Sequence, residues 1–436
     1  MPNKFFTGFR EQTGKPRFFL YCTLAIAALA IVLRAAAALS HPYVLPDSVE
    51  YQALASNILA GKPYMVTGML AKRIPGYPIF LAGIYFLFGN HQLAPLLVQA
   101  LCGGATVVVV CYLGRKISPV VGLTAGLLTA LDPLSIGFSA ALLSEVPFAL
   151  VLAAGALLAV KIIEKPASPG LWAALGVLWT LGTYLRAEAV LCIFSLTAWI
   201  VLTASKLAGD FKRLVGPILA ILVVFAGLMP WWVRNYQLFH EDFFRLTTLE
   251  GISLYEAVYP DATGGPKQSD ITLPTYMLGM NESQRDLAFK QMAIQQIRDN
   301  PARIMKLAII KMARTWSPWL NSEEYSSPRL NAVLTIWYSC LYALALAGIV
   351  GFLAKIGRYK QSKTGALTTG LFGVLVINIL YFTLMHALFI GSVRYRVPLM
   401  PEVTVLAAMG FGYLTRTINA RQTEGQPNPT VPIGKV

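Results

Sequence analysis

The sequence predicts an all-α polytopic membrane protein, and three observations carry that prediction. Of its 436 residues 56% are hydrophobic and only 13% charged, about half the charge of an ordinary soluble domain. Apolar runs of about 20 residues recur along the chain, each long enough to cross a bilayer as a helix. The lysines and arginines behind the net charge of +15 gather in short loops at alternate ends of those runs. Membrane orientation produces that asymmetry, so the charge does not point to a nucleic-acid partner. The five cysteines, Cys22, Cys102, Cys111, Cys192 and Cys340, all fall inside apolar runs. No pair has metal-ligand spacing, which argues against a disulfide framework or a zinc site.

Residues 1–17 are expected to be a cytoplasmic segment bearing Lys4, Arg10, Lys15 and Arg17. The run 18–39 is too long for a signal-peptide core and reads as a retained first span. Residues 40–92 then form a polar interval on the outer face. Asp47-Ser-Val-Glu50 has the pattern of a helix N-terminus, with Asp47 as cap and Glu50 as its partner three residues on. That helix should end before Gly61-Lys-Pro63. The apolar stretch Gly76–Phe88 is too short to span and suits a helix lying in the interface or against the bundle.

Spans are expected at 93–113, 119–137, 142–160, 170–185, 188–204 and 214–233. A second external segment follows at 235–329. Pro260-Asp261 and Gly264-Gly265-Pro266 mark turns within it, and it closes on a basic amphipathic helix at 301–316, where Ile304, Leu307, Ala308 and Met312 recur at helical spacing. Three further spans at 331–354, 367–390 and 397–415 bring the count to ten and leave both termini cytoplasmic. The transmembrane domain is thus 18–415, and the polar, Pro-containing tail 416–436 reads as disordered.

The external face keeps a few basic residues beside prolines, tyrosines and acids. Asp47 reads equally as a helix cap, worth about 1 kcal/mol, and as a carboxylate placed to take a proton from an attacking hydroxyl. Lys72 and Arg73 precede Ile-Pro-Gly-Tyr-Pro, a turn that would aim Arg73 at an anion. Glu145 lies in LLSEVPFALV, and an acid inside an apolar run is a functional candidate in its own right. Glu188 shares that position, with Arg186 as its partner, and the two read as evenly structural or functional. Asp132 reads as a turn cap before Pro133. Arg234-Asn235 after Pro230-Trp-Trp and Arg394-Tyr395-Arg396 before Pro398 lie on the same predicted face as Asp47. Together they would form a cationic cup suited to phosphate. His240-Glu241-Asp242 has the composition of a metal site without a partner motif, and a solvated turn is the better reading.

PDSVEY at 46–51, RIPGYPIFLAGIYFLFG at 73–89, LLSEVPFALVL at 142–152, LRAEAVL at 185–191, PWWVRN at 230–235 and RYRVPLMP at 394–401 occur in that order. As a set they resemble the GT-C superfamily of membrane glycosyltransferases, in its protein-mannosyltransferase-like branch, which includes the lipid A aminoarabinose transferases. The resemblance implies a GT-C-type bundle of about ten transmembrane helices with external juxtamembrane helices. It implies a hexosyl- or pentosyltransferase of the inner (plasma) membrane that takes sugar from a polyprenyl-phosphate donor. The acceptor would be a lipid, glycan or protein on the non-cytoplasmic face. The family's essential acid in the first external loop falls on Asp47, followed here by Ser48 where many members have Glu. Arg394 to Arg396 resembles the family's phosphate-facing segment. Lys72, Arg73, Arg234, Arg394 and Arg396 are therefore the expected phosphate ligands. Glu50, Tyr51, Tyr77, Glu145, Glu188, Asn235 and Tyr395 are the expected supporting residues. No residue is assigned to a metal, and the sequence does not decide for or against a divalent ion.

Two other classes fit less well. A secondary transporter would show broken helices or inverted halves, and neither is visible. An O-antigen polymerase or ligase is also polytopic with external arginines, but places its main functional loop late in the chain.

Overall fold

A computed structural model describes residues 12–204, 214–240, 243–321, 326–359 and 363–424. Among these residues the architecture is helical throughout, with one isolated bridge between Val66 and Met69 as the only extended pairing. In chain order the helices are α1 Pro16–Ser40, α2 Pro46–Leu59, α3 Gly76–Phe88, α4 Leu93–Arg115, α5 Pro119–Ala130, α6 Pro133–Phe138, α7 Glu145–Glu164 and α8 Pro169–Leu185. They continue with α9 Cys192–Ala204, α10 Val215–Phe239, α11 Glu250–Glu256, α12 Glu282–Asp299, α13 Pro301–Thr315, α14 Pro328–Leu353, α15 Lys363–Leu388 and α16 Met400–Glu424. Proline opens many of them because its fixed φ suits the first turn and its missing N–H costs nothing there; Pro16, Pro46, Pro119, Pro133, Pro169, Pro301 and Pro328 all sit at such positions.

Seven helices in the described residues are long and apolar enough to cross a membrane. They are α1, α4, α7, α10, α14, α15 and the run Val393–Thr415 that includes most of α16. The other three expected spans are shorter: α5 has 12 residues, α8 has 17 and α9 has 13. The expected run 119–137 is broken because Asp132 caps a separate turn, its Oδ1 accepting from Ser135 N at 2.8 Å, and Pro133 has no N–H with which to continue α5. The carbonyls freed at the end of α5 are met by Arg34 from α1, which donates to Thr129 O at 3.1 Å and Ala130 O at 3.2 Å. A buried helix end needs such a partner.

The bundle is held by close helix pairs: α1 on α4, α4 on α5 and α7, α8 on α10, and α14 on α16. Glycines permit the last of these, since a Cβ on Gly348 would run into Leu406 O and one on Gly410 into Leu344 O, the small-residue contact usual between membrane helices. Inside the bundle Asn378 of α15 donates to Glu402 Oε1 of α16 at 2.7 Å. The apolar core runs through α7, α8, α9, α10, α14, α15 and α16.

Two expectations are corrected. The N-cap of α2 is Leu45, whose N–H is met by Ser48 Oγ at 3.4 Å. Asp47 is therefore inside the first turn and is not the cap, and Glu50 is not a capping partner. The last helix continues to Glu424, eight residues past the expected stop at Arg416, while residues 425–436 lie outside the described residues. The expected turn at 240–242 is not overturned: His240 ends α10 in a left-handed conformation (φ 53°), and Glu241 and Asp242 lie outside the described residues.

Candidate active site

The site grows from an alternation of charge. Asp47, in the first turn of α2, accepts from Arg73 Nη2 at 2.5 Å through Oδ1 and from Arg394 Nη1 at 2.7 Å through Oδ2. Arg73 also donates from Nε to Glu50 Oε2 at 2.7 Å, and Lys72 reaches Glu50 Oε1 at 2.5 Å. On the other side Arg394 donates from Nε to Glu145 Oε1, which also accepts from Arg186 Nη1 at 2.8 Å. Arg186 in turn donates from Nε to Glu188 Oε1 at 2.6 Å. Lys72, Glu50, Arg73, Asp47, Arg394, Glu145, Arg186 and Glu188 thus form one continuous chain of ion pairs. It is drawn from α2 and the segment between α2 and α3, the head of α7, the end of α8 and the turn before α16. The charges cancel along it, which explains how eight ionised groups stand together in a poorly hydrated place.

Burial alone would push the Asp47 carboxyl up; the guanidiniums of Arg394 and Arg73 outweigh that and bring its pKa down to about 2. The acid is therefore ionised at any physiological pH, but it is also a weak base while both arginines hold it.

A cavity of about 440 Å³ opens on this chain. Its walls include Asp47, Tyr51, Lys72, Arg73, Arg186, Glu188, Arg394 and Tyr395, while Glu50 and Glu145 stand behind the cations they pair. The segment between α10 and α11 closes one side through Phe244, Leu246 and Thr247, and the end of α15 with the residue after it closes another through Met385, His386 and Phe389. The segment between α2 and α3 is fixed in place by residues that follow α10. Glu282 of α12 accepts from Leu70 N at 2.7 Å and from Thr248 Oγ1 at 2.9 Å, and Thr247 Oγ1 donates to Lys72 O at 2.7 Å. The direction of Lys72 and Arg73 is thus set by residues nearly two hundred positions away in sequence.

Of the residues singled out in sequence, Tyr51 lies under Arg73, whose guanidinium carbon is 5.5 Å from its ring centroid. Tyr77 supports Tyr51 edge to face and bonds Gln99 Oε1 at 2.6 Å, so it is a support outside the cavity wall. Three others are placed elsewhere. Arg234 donates to Leu70 O at 3.0 Å and lies over Trp231 at 4.5 Å, holding the loop from behind. Its neighbour Asn235 bonds Arg245 O at 3.0 Å. Arg396 is fully buried, donates to Thr315 O at 3.1 Å and to Ser317 O, and lies 4.2 Å over the Tyr338 ring. Neither arginine lines the cavity. Asp132 is a cap that also accepts from Tyr338 Oη at 2.9 Å.

The cavity also contains residues that the sequence did not single out. His386 stacks on Tyr395 with ring centroids 4.3 Å apart and planes within 4°. Tyr381 donates to Glu188 O at 2.5 Å. A histidine near the outer end of an apolar run was the available signal, but only the turn at 389–392 brings Tyr395 back against it. No group of three or more His, Cys, Asp and Glu among the described residues is arranged to hold a metal ion.

Residues 72–233 match the family model of dolichyl-phosphate-mannose-protein mannosyltransferase. That stretch includes Lys72, Arg73, Glu145, Arg186 and Glu188. No curated protein matches the sequence. Among solved structures, the chain is similar to the archaeal oligosaccharyltransferase AglB of Archaeoglobus fulgidus in complex with an inhibitory peptide and a dolichol-phosphate. The TM-score is 0.53 at 13% identity, over 95% of this chain and 53% of that one. The same enzyme tethered to an acceptor peptide with an NVT sequon gives 0.51 at 14% identity, over 94% of this chain and 51% of that one. ArnT of Cupriavidus metallidurans bound to undecaprenyl phosphate gives 0.40 at 15% identity, over 94% of this chain and 81% of that one. The chain spans about half the length of the oligosaccharyltransferase. It is a multi-pass membrane protein of the GT-C fold, similar over residues 72–233 to the protein mannosyltransferases.

Proposed function

We propose that the protein is an inverting glycosyltransferase that moves a sugar from a polyprenyl-phosphate donor to an acceptor hydroxyl on the non-cytoplasmic face of the plasma membrane. The observation that carries the reading is Asp47, whose two carboxylate oxygens are held at 2.5 and 2.7 Å by cavity-lining arginines from opposite ends of the chain. An acid flanked by guanidiniums at a cavity mouth suits a displacement at an anomeric carbon with a phosphate leaving group. The bond from the anomeric carbon to the acceptor oxygen forms as the bond to the phosphate oxygen breaks. The acceptor proton passes to Asp47, and the electron pair of the broken bond leaves on the lipid phosphate. A phosphate monoester departs as an anion, so it needs cations and no general acid. Attack opposite the leaving group inverts the centre.

Every cation in the cavity wall is already paired with a carboxylate, so a donor phosphate gains Arg73 and Arg394 only by sharing them with Asp47. That exchange gives the site its order of events. The empty site holds Asp47 as a weak base; phosphate binding draws the guanidiniums away and restores its basicity as the acceptor arrives.

Asp47→Asn tests the reading with two readouts of opposite sign. Turnover should fall at least about a hundredfold, as expected for loss of a general base. Affinity for polyprenyl phosphate should rise, because two guanidiniums lose their competing carboxylate. Turnover within a few-fold of the parent protein would exclude Asp47 as the base.

A further inference from the structure

The pair Arg394 and Asp47 depends on where the segment between α15 and α16 is held, and that segment is attached to one helix outside the bundle. Lys311 of α13 is 1% exposed, and its ammonium donates to Leu388 O, the last residue of α15, at 3.1 Å. One turn later Arg314 Nε donates to Gly391 O at 3.3 Å. Downstream the direction reverses, with Arg396 donating to Thr315 O and Ser317 O at the end of the same helix. The chain from 388 to 396 is therefore fastened to α13 on both sides of Arg394. The turn packs directly on the α13 backbone, since a Cβ on Gly391 would lie 2.6 Å from Lys311 Cα.

The cost of this arrangement argues that it serves the site. Helix α13 buries Lys311 on one face with Leu307 and Thr315, while Met305 and Ile309 are 65% and 61% exposed, and burial lowers the Lys311 pKa to about 8. A buried cation that satisfies a helix C-terminus is favourable, but an apolar side chain would pack there without a desolvation penalty. What lysine supplies is a directed bond to one carbonyl, immediately before the turn that leads into Arg394.

We infer that Lys311 and Arg314 are positioning residues for Arg394: they and Arg396 clamp the 388–396 segment to α13 and so set the Arg394 guanidinium against the donor phosphate. This rests on the function proposed above, with Arg394 as a phosphate ligand. It assigns to the second external segment a part in donor binding that requires no contact with the donor.

The test is a double-mutant cycle on binding of sugar-free polyprenyl phosphate to the purified full-length protein, using Arg394→Ala, Lys311→Met and the combination. Each single variant should weaken binding, Lys311→Met by about tenfold, and the double variant should bind no more weakly than Arg394→Ala alone. Gly391→Ala is the companion variant: it keeps both α13 cations and displaces the turn, and it should show the same non-additivity. It decides the matter if Lys311→Met does not fold. Full additivity with Arg394→Ala, or unchanged binding in Lys311→Met and Gly391→Ala, overturns the positioning role and leaves the proposed function standing. If Arg394→Ala itself binds polyprenyl phosphate normally, Arg394 is not a phosphate ligand, and both the ligand assignment and the positioning role fall.

Discussion

Asp47 is the residue in which stability and chemistry pull on the same atoms. Its pairs with Arg73 and Arg394 take its pKa from the ordinary 3.8 to about 2, worth about 2 kcal/mol of folding stability. The folded-state pKa is depressed, so that stability is present above pH 4 and is lost as pH falls through about 2. The same depression gives a kinetic expectation. In the free protein no acid limb from Asp47 should appear in kcat/KM above about pH 3. Under the proposed function phosphate shares the two arginines in the donor complex, and the limb in kcat should then move to higher pH. A kcat limb at the same pH as in the free protein would mean that phosphate binds without taking Arg73 or Arg394 from the acid. The Asp47→Asn variant should also lose stability, because Asp47 is an ion-pair partner and asparagine replaces only its shape.

At the scale of elements, polar contacts inside the bundle fix which helix faces meet. Glu402 of α16 is fully buried and takes one bond, from Asn378 Nδ2 of α15, while its Oε2 has no hydrogen-bond partner. It has no ion-pair partner among the described residues. A neutral amide can accept the same bond without a charge, so Glu402→Gln should keep or raise the thermal midpoint in detergent. Glu402→Leu leaves the Asn378 amide unmet and should cost about 1–3 kcal/mol. If Gln were as damaging as Leu, the carboxylate charge would be needed there and a cationic partner would have to be sought. Helix α2 shows the opposite case: its first turn leaves Asp47 and Glu50 free of capping duty, because Ser48 serves Leu45.

For the whole molecule, the ion-pair chain leads to an expectation about how often the polypeptide crosses. Asp47, Glu145, Arg186 and Arg394 touch one another, so all the segments that carry them lie on one face. Each long helix leaving that face needs a returning partner before the next contact. Helix α4 is paired by α5, α7 by α8, and α10 by α9, so we expect the three short helices to cross as well. At about 1.5 Å per residue they are shorter than the roughly 30 Å of a bilayer core. The site floor should therefore lie sunk within one leaflet, which under the proposed function is the leaflet that holds the lipid-phosphate donor. The positive-inside rule expects the basic loops inside, so cysteines introduced at Lys62 and Lys267 in a cysteine-free background should react with an impermeant reagent added from outside. Labelling of both only after permeabilisation would invert the topology.

The sequence by itself determined the membrane class, the positions of the helices and most members of the ion-pair chain. Apolar run length and the placement of lysine and arginine are local properties, and an acid such as Glu145 in an apolar run is conspicuous wherever the chain folds. It also marked Asp47 at a helix head and Arg394 in a cationic cluster beside prolines, and a resemblance in motif order pointed to the same two residues. Only the tertiary structure decided which arginines face the cavity. Arg234 and Arg396 have the same composition and flanking prolines as the arginines that do face it, but backbone carbonyls of Leu70, Thr315 and Ser317 draw them away. Local spacing suggested a cap for Asp47, because the pattern cannot register a guanidinium 347 residues distant. Which donor reaches which acceptor is set by packing between segments far apart in the chain, and no local pattern encodes it.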